Sequence, residues 1–155
     1  QNVQHLSIQQ IGTMGTIASI GTAIIMLSLG QLRVPTGMLI GQLLLAGFAL
    51  LLWRGQSMIA YCVGYFFVGG YHLYRAMALA FSRSLVKVED TGLAYGLVET
   101  GNALAVVVAP LAAGVLYNYR PEAVYIASLG ALTITVGLNR LLFREKRNAI
   151  LPVQT

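Results

Sequence analysis

The stretch GYHLYRAMALAFSRSLVKVEDTGLAYGLVETGNALAVVVAPLAAG, Gly70 to Gly114, decides the fold. It reads as two apolar helices joined by a short charged connection, Ser82 to Thr91, and each arm carries ionisable or amide side chains where a membrane span normally has none. Counted outward from Lys87, Arg75 and Glu99 stand at equal sequence distances on the two arms, and so do His72 and Asn102. In an antiparallel hairpin, residues equidistant from the turn sit at equal height. With the connection ending near Arg83 and Thr91, about eight helical residues carry Arg75 and Glu99 roughly 12 Å into an apolar layer of about 30 Å. His72 and Asn102 then lie one turn deeper, close to the midplane.

His72 and Arg75 are also three residues apart, as are Glu99 and Asn102, so each pair occupies one helical face. An unpaired charge in hydrocarbon is costly. These faces are therefore expected to turn inward, towards each other or towards a water-filled cavity.

Composition agrees with a membrane setting. Hydrophobic residues make up 57% of the 155 and charged residues only 10%, with a mean hydropathy of +0.72, whereas charged residues approach about a quarter of a soluble domain. The class is all-α: one polytopic transmembrane helix bundle in a lipid bilayer. The net charge of +5 is not a nucleic-acid footprint, because most cations sit in loops and at the end of an apolar chain rather than in a basic patch with interleaved aromatics. Cys62, the single cysteine, excludes an internal disulfide and reads as a small apolar filler. No metal or cofactor motif is present: no HExxH, CxxC or phosphate-binding loop, and no serine, histidine and carboxylate set out as a nucleophile system. His5 reads as incidental rather than as a metal ligand. No cofactor and no enzymatic activity are expected.

Five spans are expected, over residues 8–29, 38–53, 57–81, 93–117 and 123–143, with a polar leader before them and a basic tail, 144–155, after them. The first is thick with small residues, Gly12, Gly15, Ser19 and Gly21, which let neighbouring helices approach and predict packing on more than one side. Gly30 to Gly37 is a surface turn. Trp53 with Arg54 forms an interfacial anchor, and Gln42 lies about one turn inside the second span. Gly69 and Gly70 predict a bend or a close backbone approach in the third, and Pro110 predicts a kink or a released carbonyl in the fourth. Arg33, then Arg83 with Lys87, then Arg144, Lys146 and Arg147 fall on one side of the membrane, against Arg54 and Arg120 on the other. The excess of cations places the tail in the cytoplasm, in a plasma (inner) membrane. The chain opens on Gln and has an odd number of spans, so at least one preceding helix is expected.

The run EDTGLAYGLVETGNALAVVVAPLAAGVLY, Glu89 to Tyr117, resembles the eleventh helix and preceding cytoplasmic loop of major facilitator superfamily transporters. Gly92, Ala94, Gly96 and Leu97 match its Gly-x-Ala-x-Gly-Leu start, and Pro110 and Gly114 its Pro-x-x-x-Gly exit. The resemblance implies that the spans correspond to helices eight to twelve, and that Gly92, Gly96, Pro110 and Gly114 serve helix packing or hinging. Gly30 to Gly37 keeps the glycines and a cation of the family's cytoplasmic signature but has no acidic residue. Alternating access around a mid-membrane solute needs helices beyond these five.

Two readings follow. In the first, the chain is part of a secondary-active transporter of small solutes, with His72, Arg75, Glu99 and Asn102 as its substrate-binding or coupling residues. In the second, it is a non-transporting, transporter-derived subunit that packs against a larger membrane complex as scaffold or assembly factor. Arg75 and Glu99 suit either reading, as a coupling pair or as a buried salt bridge that fixes two helices. His72 reads first as a hydrogen-bonded packing residue, and the tyrosines Tyr61, Tyr65 and Tyr71 as packing or lipid contacts.

Overall fold

The computed structural model describes the backbone of residues 8–150 and the side chains of residues 9–143. The leader with His5, residues 151–155, and the side chains of Arg144, Lys146 and Arg147 lie outside these. Every regular element among the described residues is helical: α1 (Ile8–Leu29), α2 (Val34–Arg54), α3 (Met58–Phe67), α4 (Gly69–Arg83), a 3-10 turn at Val88–Asp90, α5 (Thr91–Tyr119) and α6 (Pro121–Ile150). Four stretches are long and apolar enough to cross a bilayer: Gln9–Leu29, Val34–Arg54, Val88–Tyr119 and Pro121–Phe143. The chain is an all-α transmembrane bundle.

The stretch expected to form the third span differs from its sequence reading. One continuous span was expected over residues 57–81, and the structure has two shorter helices, α3 and α4, that meet at Val68. There the Val68 N–H donates to the Tyr65 carbonyl at 3.2 Å and the Tyr71 N–H to the Val68 carbonyl at 2.9 Å. Both bonds are one residue shorter than the α-helical step. Val68 keeps right-handed helical angles, φ −55° and ψ −28°, so the rod tightens without reversing.

The chain falls into two compact units, divided between Phe81 and Ser82. In the first, α2 runs antiparallel to the α3–α4 rod. Gly37 faces Met77, Gly41 faces Gly70 and Tyr74, Gly47 faces Phe67, and Gly64 faces Leu51 and Leu52. Phe48 and Tyr65 meet edge to face at 5.8 Å. The α2 positions 37, 41, 44, 48 and 51 step by four and three, the spacing of a coiled-coil seam. Helix α1 lies on the rod with its numbers rising together with those of the rod, Gly21 against Phe66 and Ile25 against Gly69.

Gly69 and Gly70 make both crossings possible. A Cβ on Gly69 would stand 2.8 Å from the Thr22 Cα, and one on Gly70 would stand 2.6 Å from the Leu44 Cβ. Neither glycine has a positive φ, so close approach and not turn geometry requires them. Met14, Ile25, Met38, Ala49, Leu73 and Met77 are buried, Leu73 completely.

The ends of α2 and α3 are held locally. Pro35 sits in the first turn of α2, where its missing N–H costs nothing. Ser57 caps α3 by accepting from the Ala60 N–H at 3.2 Å, and the Tyr61 hydroxyl donates to the Gly55 carbonyl at 2.9 Å. Arg54 lies over the Trp53 ring at 5.7 Å, a cation–π contact that suits a membrane interface.

Helix α1 packs more narrowly than its glycines suggest. A Cβ on Gly12 or Gly15 would meet no atom within 4 Å. Thr13, Thr16, Ser19 and Thr22 each donate to the carbonyl four residues back, at 2.8–3.1 Å, which hides their hydroxyls on an apolar helix.

In the second unit, Arg120 alone separates α5 from α6. Its backbone is extended, and its N–H closes α5 on the Leu116 carbonyl at 3.0 Å. Ala94 is the buried apolar residue of this unit among the described ones, while Leu97, Leu104, Leu111, Ile134 and Leu141 are among the large side chains left exposed. Such faces are stable against acyl chains or other protein.

Candidate functional site

The first polar pair stands on α4. Gly70, Tyr74 and Met77 turn towards α2, and Gly69 turns towards α1. At about 100° per residue, His72 and Arg75 fall on the side that neither helix covers. His72 is exposed and Arg75 half-buried. The imidazole rests edge to face on the Tyr71 ring, with centroids 5.2 Å apart.

The second pair stands on α5. Along the N-terminal half of that helix, Thr91, Ala94, Tyr95, Val98, Glu99 and Asn102 form a stripe of covered positions, at steps of three and four residues. From Ala103 to Ala112 every residue is exposed. Glu99 and Asn102 thus occupy the covered side of α5. Helix α4 ends at Arg83 and α5 begins at Thr91, so Arg75 and Glu99 each stand eight residues from the connection. Arg75, Glu99 and Asn102 are all engaged with partners, and none is free.

The glycines carried over from the family motif lie in open surroundings. A Cβ on Gly92, Gly96 or Gly114 would meet nothing within 4 Å. Helix α5 runs unbroken through Pro110 to Tyr119, and the missing proline N–H leaves the Val106 carbonyl without its ladder donor. The tyrosines of α3 and α4 singled out in the sequence have packing partners: Tyr61 on Gly55, Tyr65 on Phe48, Tyr71 on His72. Among the described residues, no three of His, Cys, Asp and Glu are grouped to hold a metal ion, and Cys62 is a half-buried free thiol.

Gln42 stands outside the set that sequence reasoning selected. It is 3% exposed, and both polar atoms of its amide lack a hydrogen-bond partner among the described residues. The signal was a single amide within an apolar helix, next to a glycine.

A family model described as the Major Facilitator Superfamily matches residues 1–153. No curated protein and no solved structure matches the chain.

Proposed function

This chain belongs to the major facilitator superfamily of membrane transporters, and from that premise we propose that it forms part of a secondary-active transporter of small solutes that works by alternating access. The observation that carries the reading is the face of α4 with His72 and Arg75, which turns to neither α1 nor α2. Ionisable groups at such depth serve solute or ion pathways by default. In this reading, Arg75 of α4 and Glu99 of α5 form part of the coupling or gating network, with His72 and Asn102 as substrate-binding residues.

Glu99 is the proton carrier. Once its oxygen takes a proton the negative charge is gone, and the helix that carries it is free to rearrange. His72 and Asn102 supply hydrogen bonds to a polar solute, and the pliant surface at Gly92, Gly96, Pro110 and Gly114 accommodates the movement against further helices of the intact transporter. The distribution of cations supports a plasma (inner) membrane setting with the C-terminus in the cytoplasm.

The test uses the full-length protein in proteoliposomes. A thermal-shift screen against amino acids, sugars, organic acids and organic cations identifies a stabilising solute, and its uptake is then followed under an imposed proton gradient. Wild-type protein accumulates the solute, whereas Glu99→Gln binds and exchanges it without accumulation. Wild-type accumulation by Glu99→Gln would remove Glu99 from the mechanism.

A further inference from the structure

The first unit, Gln1–Phe81, carries charge of one sign. Its Asp, Glu, Lys and Arg content is Arg33, Arg54 and Arg75 alone, and the first carboxylate side chain in the sequence is Glu89. Arg33 and Arg54 are exposed at the two ends of α2, where a cation rests in water or among headgroups and serves topology. Arg75 has a different setting. It is half-buried, eight residues from the end of α4, on the side that neither α1 nor α2 covers. His72 stands on the same side, three residues before it. The face thus offers a permanent cation and an imidazole, and no residue of α1, α2, α3 or α4 sets an acid against them.

Arginine presents its donors as a rigid planar fork, which matches the two oxygens of a carboxylate or the edge of a phosphate or sulfonate. His72 is exposed and rests edge to face on Tyr71, so its ring is steadied about one helical turn from the guanidinium. Such a face attracts an oxyanion and repels an ammonium group. We infer that the solute is a small organic anion whose oxyanion group docks on Arg75, with His72 hydrogen-bonded to a neighbouring polar atom of the same molecule. This rests on the transport reading and narrows it to one class of charge. Glu99, the proton carrier of that reading, loses its negative charge when it is protonated, so that anion and proton travel together.

Two arms test this in the full-length protein. In the first, His72→Cys is placed in a background with Cys62→Ala and every other cysteine replaced. In lipid nanodiscs it is reacted with an anionic methanethiosulfonate, the sulfonatoethyl reagent, and a cationic one, the trimethylammonioethyl reagent. A cleft lined with one sign of charge raises the local concentration of counter-ions by about 10–10³. The anionic reagent is therefore expected to gain at least about tenfold on the cationic one, relative to their rates with a free thiol, and Arg75→Gln to abolish the gain. A ratio like that of the free thiol, or one that favours the cation, would overturn the inference and leave the transport reading standing. No reaction with either reagent would show that solutes do not reach this face and would remove both. The second arm needs no variant. The solute that stabilises the wild-type protein in the thermal-shift screen is expected to be a carboxylate or other oxyanion, with no stabilisation by its neutral amide. An amine or a sugar that both stabilises the protein and is accumulated would refute the anion while supporting transport.

Discussion

Replacing Gly69 by alanine tests how the first unit is held together. The new methyl would stand 2.8 Å from the Thr22 Cα and 3.0 Å from the Thr22 nitrogen, against an optimal separation of about 3.5–4.0 Å. Both neighbours are backbone, so α1 must retreat by about 1 Å and cannot give way by a rotamer change. Overpacking of this sort costs about 1–3 kcal/mol, while exchange of glycine for alanine in a helix returns about 0.8–1 kcal/mol. The net is a loss of up to about 2 kcal/mol. At Gly12 the same methyl meets nothing within 4 Å, so only the gain remains, about 0.5–1 kcal/mol. At roughly 2–4 °C per kcal/mol for a chain of this size, Gly69→Ala should melt several degrees below the wild type in detergent and Gly12→Ala at or slightly above it. Fluorescence-detected size-exclusion thermostability reads both. A Gly69→Ala protein that melts no lower than Gly12→Ala would show that α1 does not rest on the rod at that point.

Leu73 is completely buried, so Leu73→Ala should cost about 2–5 kcal/mol, whereas Leu97→Ala at a 68% exposed position should stay within about 0.5 kcal/mol; equal melting shifts would contradict the packing described. Tyr61→Phe removes the hydroxyl that donates to the Gly55 carbonyl and should lower stability by about 0.5–1.5 kcal/mol, read in the same assay. Glu99→Gln should retain expression and solute-induced stabilisation while proton-driven accumulation is lost, and accumulation at the wild-type rate would exclude Glu99 from coupling.

Much of the architecture was legible before any coordinates, because hydrocarbon leaves a chain few options: long apolar runs must be helices, and the loops between them must hold the charges. Gly69 and Gly70 announced a bend or a close approach, and the structure has the close approach. The division of residues 57–81 into α3 and α4 was less legible. Hydropathy records how apolar a segment is and not how tightly two other helices press on its backbone. Gly12 and Gly21 look alike in sequence, yet only Gly21 meets a neighbour, since which glycine is used depends on where the rod crosses α1. Spacing set out the two polar pairs, but it could not show that Gly70 and Met77 face α2 and leave His72 and Arg75 on the uncovered side. The burial of Gln42 was hidden for a related reason. One amide in an apolar span reads the same whether it turns to lipid or to a neighbouring helix.

The most direct test of the transport reading is a double-mutant cycle on thermal stability in the full-length protein, built from Arg75→Ala, Glu99→Ala and the two together. If the two groups belong to one coupling network, Arg75→Ala alone leaves the Glu99 carboxylate uncompensated and should melt below the double variant, with a coupling of about 1 kcal/mol or more. Single effects that add to the double effect within about 0.5 kcal/mol would mean that the two groups do not interact, and the proposed coupling pair would be lost.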